Sequence, residues 1–259
     1  MVTGIISDIH EDIIRLEASL KLFGELNVDD IICLGDIVGY SIPFYGYLST
    51  RDANRCVELI RKNCSVVVMG NHDLFATKKL PSECADFNFP VDWYQRSFAE
   101  RKKLSEGKVY LYEDHELPTL LDDENLIWLS ELPEYVIKSY PTHNVMISHY
   151  ATPDITGCSS TEVKNFDQIL NHLEFMTSKN CIYGFSGNDH IPGMKIFSDG
   201  IVKNYDFEEV ILGKQPCWVT GPTVSMGTVA NGVMIYDSDC RKLETFALNS
   251  PIHAIPSSI

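Results

Sequence analysis

Positive charge is scarce in this chain: 21 Lys and Arg stand against 36 Asp and Glu, a formal net charge of −15 over 259 residues. Proteins that hold long nucleic acids normally draw on a basic surface that releases counterions. The composition therefore argues against a nucleic-acid polymer as the main partner, and a nuclease reading lacks the basic groove it needs. Small substrates remain, anionic ones included, because a bound divalent cation reverses the local field. Paired thiols are also missing. Cys33, Cys56, Cys64, Cys84, Cys158, Cys181, Cys217 and Cys240 are scattered without a C-x-x-C pair, so neither a disulfide framework nor a thiolate metal site is expected. Cys33 and Cys181, set among Ile, Leu or Tyr, read as small hydrophobes. No apolar run is long enough for a membrane span, and no basic leader precedes Val2, which leads to the expectation of a soluble, cytoplasmic protein. Internal repeats, low-complexity tracts and linkers are lacking as well. With 44% hydrophobic and 22% charged residues, a single globular domain over 1–259 is expected.

What the chain does have is a series of short β-branched runs, each stopping at a polar cluster. Val66-Val67-Val68-Met69 ends at Gly70, and Asn71, His72 and Asp73 leave together. The run is too short for a helix and reads as a strand buried on both faces. In an open α/β sheet, ligands gather at such strand ends. Asn71 offers an amide oxygen to a metal, His72 an imidazole for proton transfer, and Asp73 a carboxylate to fix that imidazole. Val2 to Ser7 is a first strand, followed by Asp8-Ile9-His10; Ile13, Leu16, Leu20 and Phe23 then recur at helical spacing within Glu11 to Leu26. Asp30 to Leu34 is a second strand ending at Gly35-Asp36, where a buried carboxylate needs a compensating charge. After an aromatic loop from Tyr40 to Thr50, a helix through Arg55 to Lys62 leads back to Val66. Three β-α units in a row predict a largely parallel sheet.

From Leu74 to about Pro118 the pattern changes, and the spacing predicts a helical insertion beside the site, its amphipathic piece running from Asp92 to Leu104. Trp93, Tyr94 and Phe98 are candidates for a substrate pocket there or for helix packing. Leu121 to Leu132 reads as a helix, Asn144 to Ser148 as a strand carrying His149, and Lys164 to Thr177 as a helix. Asn180 to Phe185 is a strand, after which Gly187-Asn188-Asp189-His190 reads as a polar turn. Beyond Pro192, short apolar runs alternate with Ser198-Asp199-Gly200 and Ala230-Asn231-Gly232, which suggest antiparallel hairpins. His115, His143, His172 and His253 lie away from these strand ends and read as surface or structural.

Asp8, His10, Asp36, Asn71, His149 and His190, with Asn188 and His72 beside them, form an oxygen and imidazole set without thiolates, which suits Mn, Fe or Zn. Their order, together with the runs Leu34 to Tyr40 and Gly221 to Ser225, resembles the calcineurin-like metallophosphoesterase superfamily, in its small bacterial phosphodiesterase and diadenosine-tetraphosphatase-like branch. The resemblance spans Met1 to about Pro192. It implies an α/β class fold, a four-layer α/β/β/α sandwich, binding two divalent metals and hydrolysing a small phosphoester, preferably a diester or nucleotide-like one. Carried over by position, Asp8, His10 and His190 hold one metal, Asp36 bridges, Asn71 and His149 hold the second, His72 is the general acid and Asp73 orients it. The family usually has Gly-His-x-His where this chain has Gly187-Asn188-Asp189-His190. Asn188 can coordinate only through an amide, so the second site is expected to be weaker, differently selective or empty. Tyr150, where many relatives have glycine, narrows the pocket or lends it a phenol. The competing expectation is a binding or regulatory protein on the same fold that has lost catalysis.

Overall fold

Alternate side chains along the strands enter different cores, as the period of two requires. The computed structural model describes residues 1–225 and 229–249. In chain order it contains β1 (Val2–Ile6), α1 (Ile13–Glu25), β2 (Asp30–Cys33), β3 (Tyr40–Ser41), α2 (Ala53–Asn63), β4 (Val66–Val67), α3 (Asn71–Thr77), α4 (Phe98–Ser105), β5 (Glu116–Leu117) and α5 (Asp123–Ser130). Then follow β6 (Tyr135–Tyr140), β7 (His143–Ser148), α6 (Leu170–Ser178), β8 (Cys181–Ile191), β9 (Met194–Ser198), β10 (Ile201–Tyr205), β11 (Glu209–Ile211), β12 (Cys217–Pro222), β13 (Gly232–Asp237) and β14 (Lys242–Ala247).

Two six-stranded sheets result, in the orders β11-β14-β13-β1-β2-β4 and β10-β9-β12-β8-β7-β6. Ile5, Ile32, Val145, Ile147, Val219 and Met234 meet in the core between them. Their neighbours Ile6, Cys33 and Val233 turn to the opposite face, against Leu16 and Phe23 of α1 and Cys56, Val57 and Ile60 of α2. Met146 and Trp218 do the same on the second sheet, against Met176 of α6. The layers are therefore helix, sheet, sheet, helix, as expected. Gly4 allows α1 its close approach, since a Cβ there would stand 2.9 Å from the Phe23 ring; burying such a side chain stabilises by roughly 1.5–3 kcal/mol. Among the described residues, no helix is long and apolar enough to cross a membrane.

Several expectations need correction. Each sheet is mixed: β1, β2 and β4 run parallel, as do β12, β8 and β7, but their outer neighbours pair antiparallel. The valine run pairs only through Val66 and Val67, and Asn71 to Asp73 form the first turn of α3 rather than a loop. The helix expected over Asp92 to Leu104 is split. Trp93–Gln95 is a 3-10 turn, and Ser97 restarts the chain as a capping box with Glu100. The helix expected from Lys164 begins as another such turn, Phe166–Ile169. Gly187 to His190 is the continuation of β8, not a separate turn. Ser198-Asp199-Gly200 does close the β9–β10 hairpin. Ala230-Asn231-Gly232 does not, because β12 and β13 lie in different sheets. Strand β6 escaped the sequence reading, and His253 lies outside the described residues.

Candidate metal centre

The parallel strands of both sheets deliver their carboxyl ends to one place. After β1 the chain turns sharply, with Ile9 and His10 N–H donating to the Asp36 carbonyl at 2.8 and 3.0 Å. From the other sheet, the stretch after β12 braces this turn, the Ser225 N–H donating to the Asp8 carbonyl at 3.0 Å. Tyr47 Oη donates to the His10 carbonyl at 2.9 Å. Asp8, His10, Asp36, Asn188 and His190 all have positive φ, between 48° and 65°. Such backbone is uncommon outside glycine and persists where surroundings over-determine it, as at functional sites.

Ligand atoms of Asp8, His10, Asp36 and His190 lie within 4.8 Å of one another. His190 Nε2 is 3.1 Å from Asp8 Oδ1 and 3.1 Å from His10 Nε2. Asp36 Oδ2 is 3.8 Å from His10 Nε2 and 3.2 Å from His149 Nε2. The Nδ1 atoms of His10 and His149 reach the carbonyls of Gly39 and Leu34 at 2.9 and 2.8 Å. A carbonyl only accepts, so each Nδ1 carries the hydrogen and each Nε2 is turned inward as a donor for a cation. Burial opposes charge on His149, yet without a cation the Asp36 and Asp8 carboxylates outweigh it and raise it to about 10, so a cation binding at Nε2 displaces a proton there. Burial, with His72 nearby, lowers His10 to about 3 and keeps it neutral.

Asn71 joins them from α3. One end of its amide meets Tyr112 Oη at 2.7 Å. The other end stands among Asp36 Oδ2, His149 Nε2, Asn188 Oδ1 and the Thr156 carbonyl, at 3.2, 3.1, 3.3 and 3.3 Å; an NH2 there donates to them, whereas an oxygen there needs a cation among them. The set of carboxylate, imidazole and amide donors fits a divalent transition metal. Asn188 belongs to this group, its N–H donating to Asp8.

His72 and Asp73 sit differently from expectation. The Asp73 carboxylate accepts backbone N–H groups of Asp36, Ile37, Val38 and Gly70 at 2.8–3.2 Å. It fixes the Asp36 loop against the start of α3 and does not hold the His72 ring. That ring is held by Glu116, whose Oε2 is 2.6 Å from His72 Nδ1. Burial opposes the charge on His72, but Glu116 and Asp36 raise it to about 9. Beside the cluster lies a cavity of about 250 Å³, with Phe44, Tyr45, Tyr110, Tyr112 and His115 on its walls. Trp93, Tyr94 and Phe98 do not line it; Trp93 packs edge-on against Phe87 and Phe89. Tyr150 is buried away from it, its Oη accepting from the Val163 N–H at 2.8 Å. Glu116, Tyr110 and Tyr112 went unassigned in the sequence, where only the aromatic spacing Tyr110-x-Tyr112 before the Pro118 boundary signals them, and His115, read there as surface or structural, lies on the cavity wall.

A family model described as calcineurin-like phosphoesterase matches residues 1–192. An uncharacterised protein of Methanocaldococcus jannaschii is 42% identical over 199 residues, covering 73% of this chain and 62% of that protein. The chain thus spans less than two thirds of that relative. Among solved structures, a metallophosphoesterase from Sphaerobacter thermophilus is similar with a TM-score of 0.67 at 22% identity, covering 97% of this chain and 89% of that one. A hypothetical protein from Pyrococcus horikoshii OT3 gives 0.59 at 13% identity, covering 96% and 88%. At these identities the likeness is one of fold.

Proposed function

The chain belongs to the calcineurin-like phosphoesterase family, and from that premise we propose that it is a metal-dependent hydrolase of a small phosphoester, a diester or nucleotide-like one by preference. The observation that carries this reading is the convergence of Asp8, His10, Asp36 and His190 within 4.8 Å. In the roles we assign, Asp8, His10 and His190 hold one cation, Asp36 bridges, and Asn71, His149 and Asn188 hold a second. When bound, such a pair polarises phosphoryl oxygens and lowers the pKa of a water. The chain's own contribution is then orientation and a proton. Asp36 is fixed by accepting the His72 N–H at 2.9 Å. His72 lines the cavity and donates its proton to the leaving oxygen. Among the described residues no lysine or arginine lines that cavity, which favours a substrate with few charges over a polyphosphate.

Metal-stripped protein resupplied with Mn, Fe(II), Zn or Mg tests the reading on p-nitrophenyl phosphodiester and monoester, with bound metal counted in the same samples. Two bound cations, with turnover of the nitrophenyl esters and a loss of roughly two orders of magnitude in His72→Ala on a phenyl ester, whose leaving group needs a proton, is the expected result. A second reading, a binding protein of the same fold, is favoured by Asn188, an amide where relatives have imidazole. One cation or none, with no turnover under any supply, would decide for it.

A further inference from the structure

Glu116 stands outside the cation cluster and has no motif around it. It lies on β5, which pairs only with β3, so that Ser41 faces Glu116 and Tyr40 faces Leu117. This ribbon belongs to neither large sheet. The Glu116 side chain is 1% exposed, and among the described residues no lysine or arginine forms an ion pair with it. Such burial of a carboxylate is unfavourable without a partner. Its partner is His72, 44 positions away, through the 2.6 Å contact from Oε2 to Nδ1. Close against the ring is also Gly39, at φ +94°, where a Cβ would stand 2.5 Å from His72 Nδ1. The His10 ring stands edge-on at 4.7 Å and the Tyr112 ring is tilted at 4.6 Å. The imidazole is therefore clamped by Glu116, Gly39, His10 and Tyr112, with Nε2 as the nitrogen that Glu116 does not engage.

We propose that Glu116 is a positioning residue for His72: it fixes the ring through Nδ1 so that Nε2 delivers its proton to the leaving-group oxygen. The inference rests on the phosphoesterase reading above. In the step, the water oxygen forms the new bond to phosphorus. The bond from phosphorus to the leaving oxygen breaks with its electron pair on that oxygen, which takes the Nε2 proton. The proton released by the attacking water passes to solvent, and solvent restores Nε2–H. Throughout, Nδ1–H stays on Glu116, so the ring neither flips nor changes its bonded nitrogen. The β3–β5 ribbon, on this view, exists to bring one carboxylate to one ring.

Leaving-group dependence tests this, because a p-nitrophenolate departs without protonation and a phenolate, whose oxygen resembles tyrosine's at a pKa of about 10, needs it. Metal-loaded Glu116→Gln, with metal content and unfolding temperature checked against wild type, is assayed on bis(p-nitrophenyl) and diphenyl phosphate. The expected result is a kcat loss of roughly 10- to 100-fold on the phenyl ester and under about threefold on the nitrophenyl ester, with KM little changed. The double variant with His72→Ala should be no slower than His72→Ala alone, since residues acting as a unit are not additive. Equal losses on both esters, or additive losses, would overturn the proposal. If Glu116→Gln does not fold, Glu116→Asp withdraws the carboxylate while keeping its charge and should show the same selectivity. A readout independent of turnover is the His72 Nδ1 proton in 15N-histidine spectra of the metal-free chain. It should be strongly downfield in wild type and move upfield in either variant, and an unchanged resonance would also overturn the inference. Wild type that hydrolyses neither ester sinks the parent reading and this one together, whereas wild-type turnover with unselective loss sinks this one alone.

Discussion

The second cation position is crowded by design at one glycine. Gly157 has φ +77°, and a Cβ there would overlap Asn188 Oδ1 and stand 3.2 Å from Asn71 Oδ1. Asn188 itself sits at φ 65°, a region asparagine tolerates better than most residues. Gly157→Ala is thus expected to push both amides off their positions while sparing Asp8, His10 and His190. Bound metal should fall from two equivalents to one, with second-site affinity weaker by at least about tenfold, given the 1–3 kcal/mol typical of local backbone strain. Metal titration followed by elemental analysis checks this; two tightly held cations in the variant would remove Asn188 and Asn71 from the second site. Asp8, His10, Asp36, Asn71 and His149 were legible because each follows an apolar strand run, whereas Asn188 and His190 lie within the end of β8 itself. Asp73 was misread because adjacency to His72 suggested a contact, whereas a helix sends side chains one position apart in different directions. Its carboxylate points back to the Asp36 loop.

At the scale of elements, α6 covers the outer face of the second sheet and buries a histidine there. His172 Nδ1 accepts the Thr152 N–H at 3.1 Å, and the ring lies 5.7 Å from Trp218. Burial alone lowers its pKa to about 3. The unfolded value is near 6.5, so the native state binds fewer protons between the two; the stability due to neutral His172 is complete above pH 6.5 and is lost as pH falls toward 3. At about 1.4 kcal/mol per unit, wild type should lose about 2.5 kcal/mol more than His172→Asn between pH 7 and 4.5. Urea unfolding at both pH values measures the difference, and equal losses would show that His172 is not held neutral. Asn keeps the acceptor for Thr152 but leaves a void, so it will be the less stable protein at pH 7. Helices α1, α2 and α5 were readable from their apolar stripes. Strand β6 was not, because its burial alternates weakly and Ile137 is exposed. Strands β3 and β5, two residues each, are too short for any periodicity, which is why Glu116 stayed hidden.

For the whole molecule, the charge of −15 was plain in the sequence; which of the acids are buried was not. Asp8, Asp36, Asp73, Glu11 and Glu116 are all buried around the strand ends. Burial raises Glu11 to about 7 even with Arg51 beside it. A folded state that gathers acids in this way should depend on divalent cations, which bind it and not the unfolded chain. At a free concentration about 1,000 times Kd, one site adds roughly 4 kcal/mol. At about 2–4 °C per kcal/mol for a chain somewhat shorter than this one, a chelator should lower the unfolding temperature by roughly 10 °C, and resupplied metal should restore it. Asp36→Asn should abolish this response, and its metal-free form should be less stable than metal-free wild type, since the Asp36 carboxylate is a partner of the charged His149 and His72 rings. General screening makes a different prediction, because sodium chloride weakens repulsion between exposed acids but does not coordinate the buried cluster. If sodium chloride at matched ionic strength stabilised the stripped protein as much as the divalent metal did, the effect would belong to surface charge, and the buried acids would have to be held by hydrogen bonds such as those of Asp73 rather than by a cation.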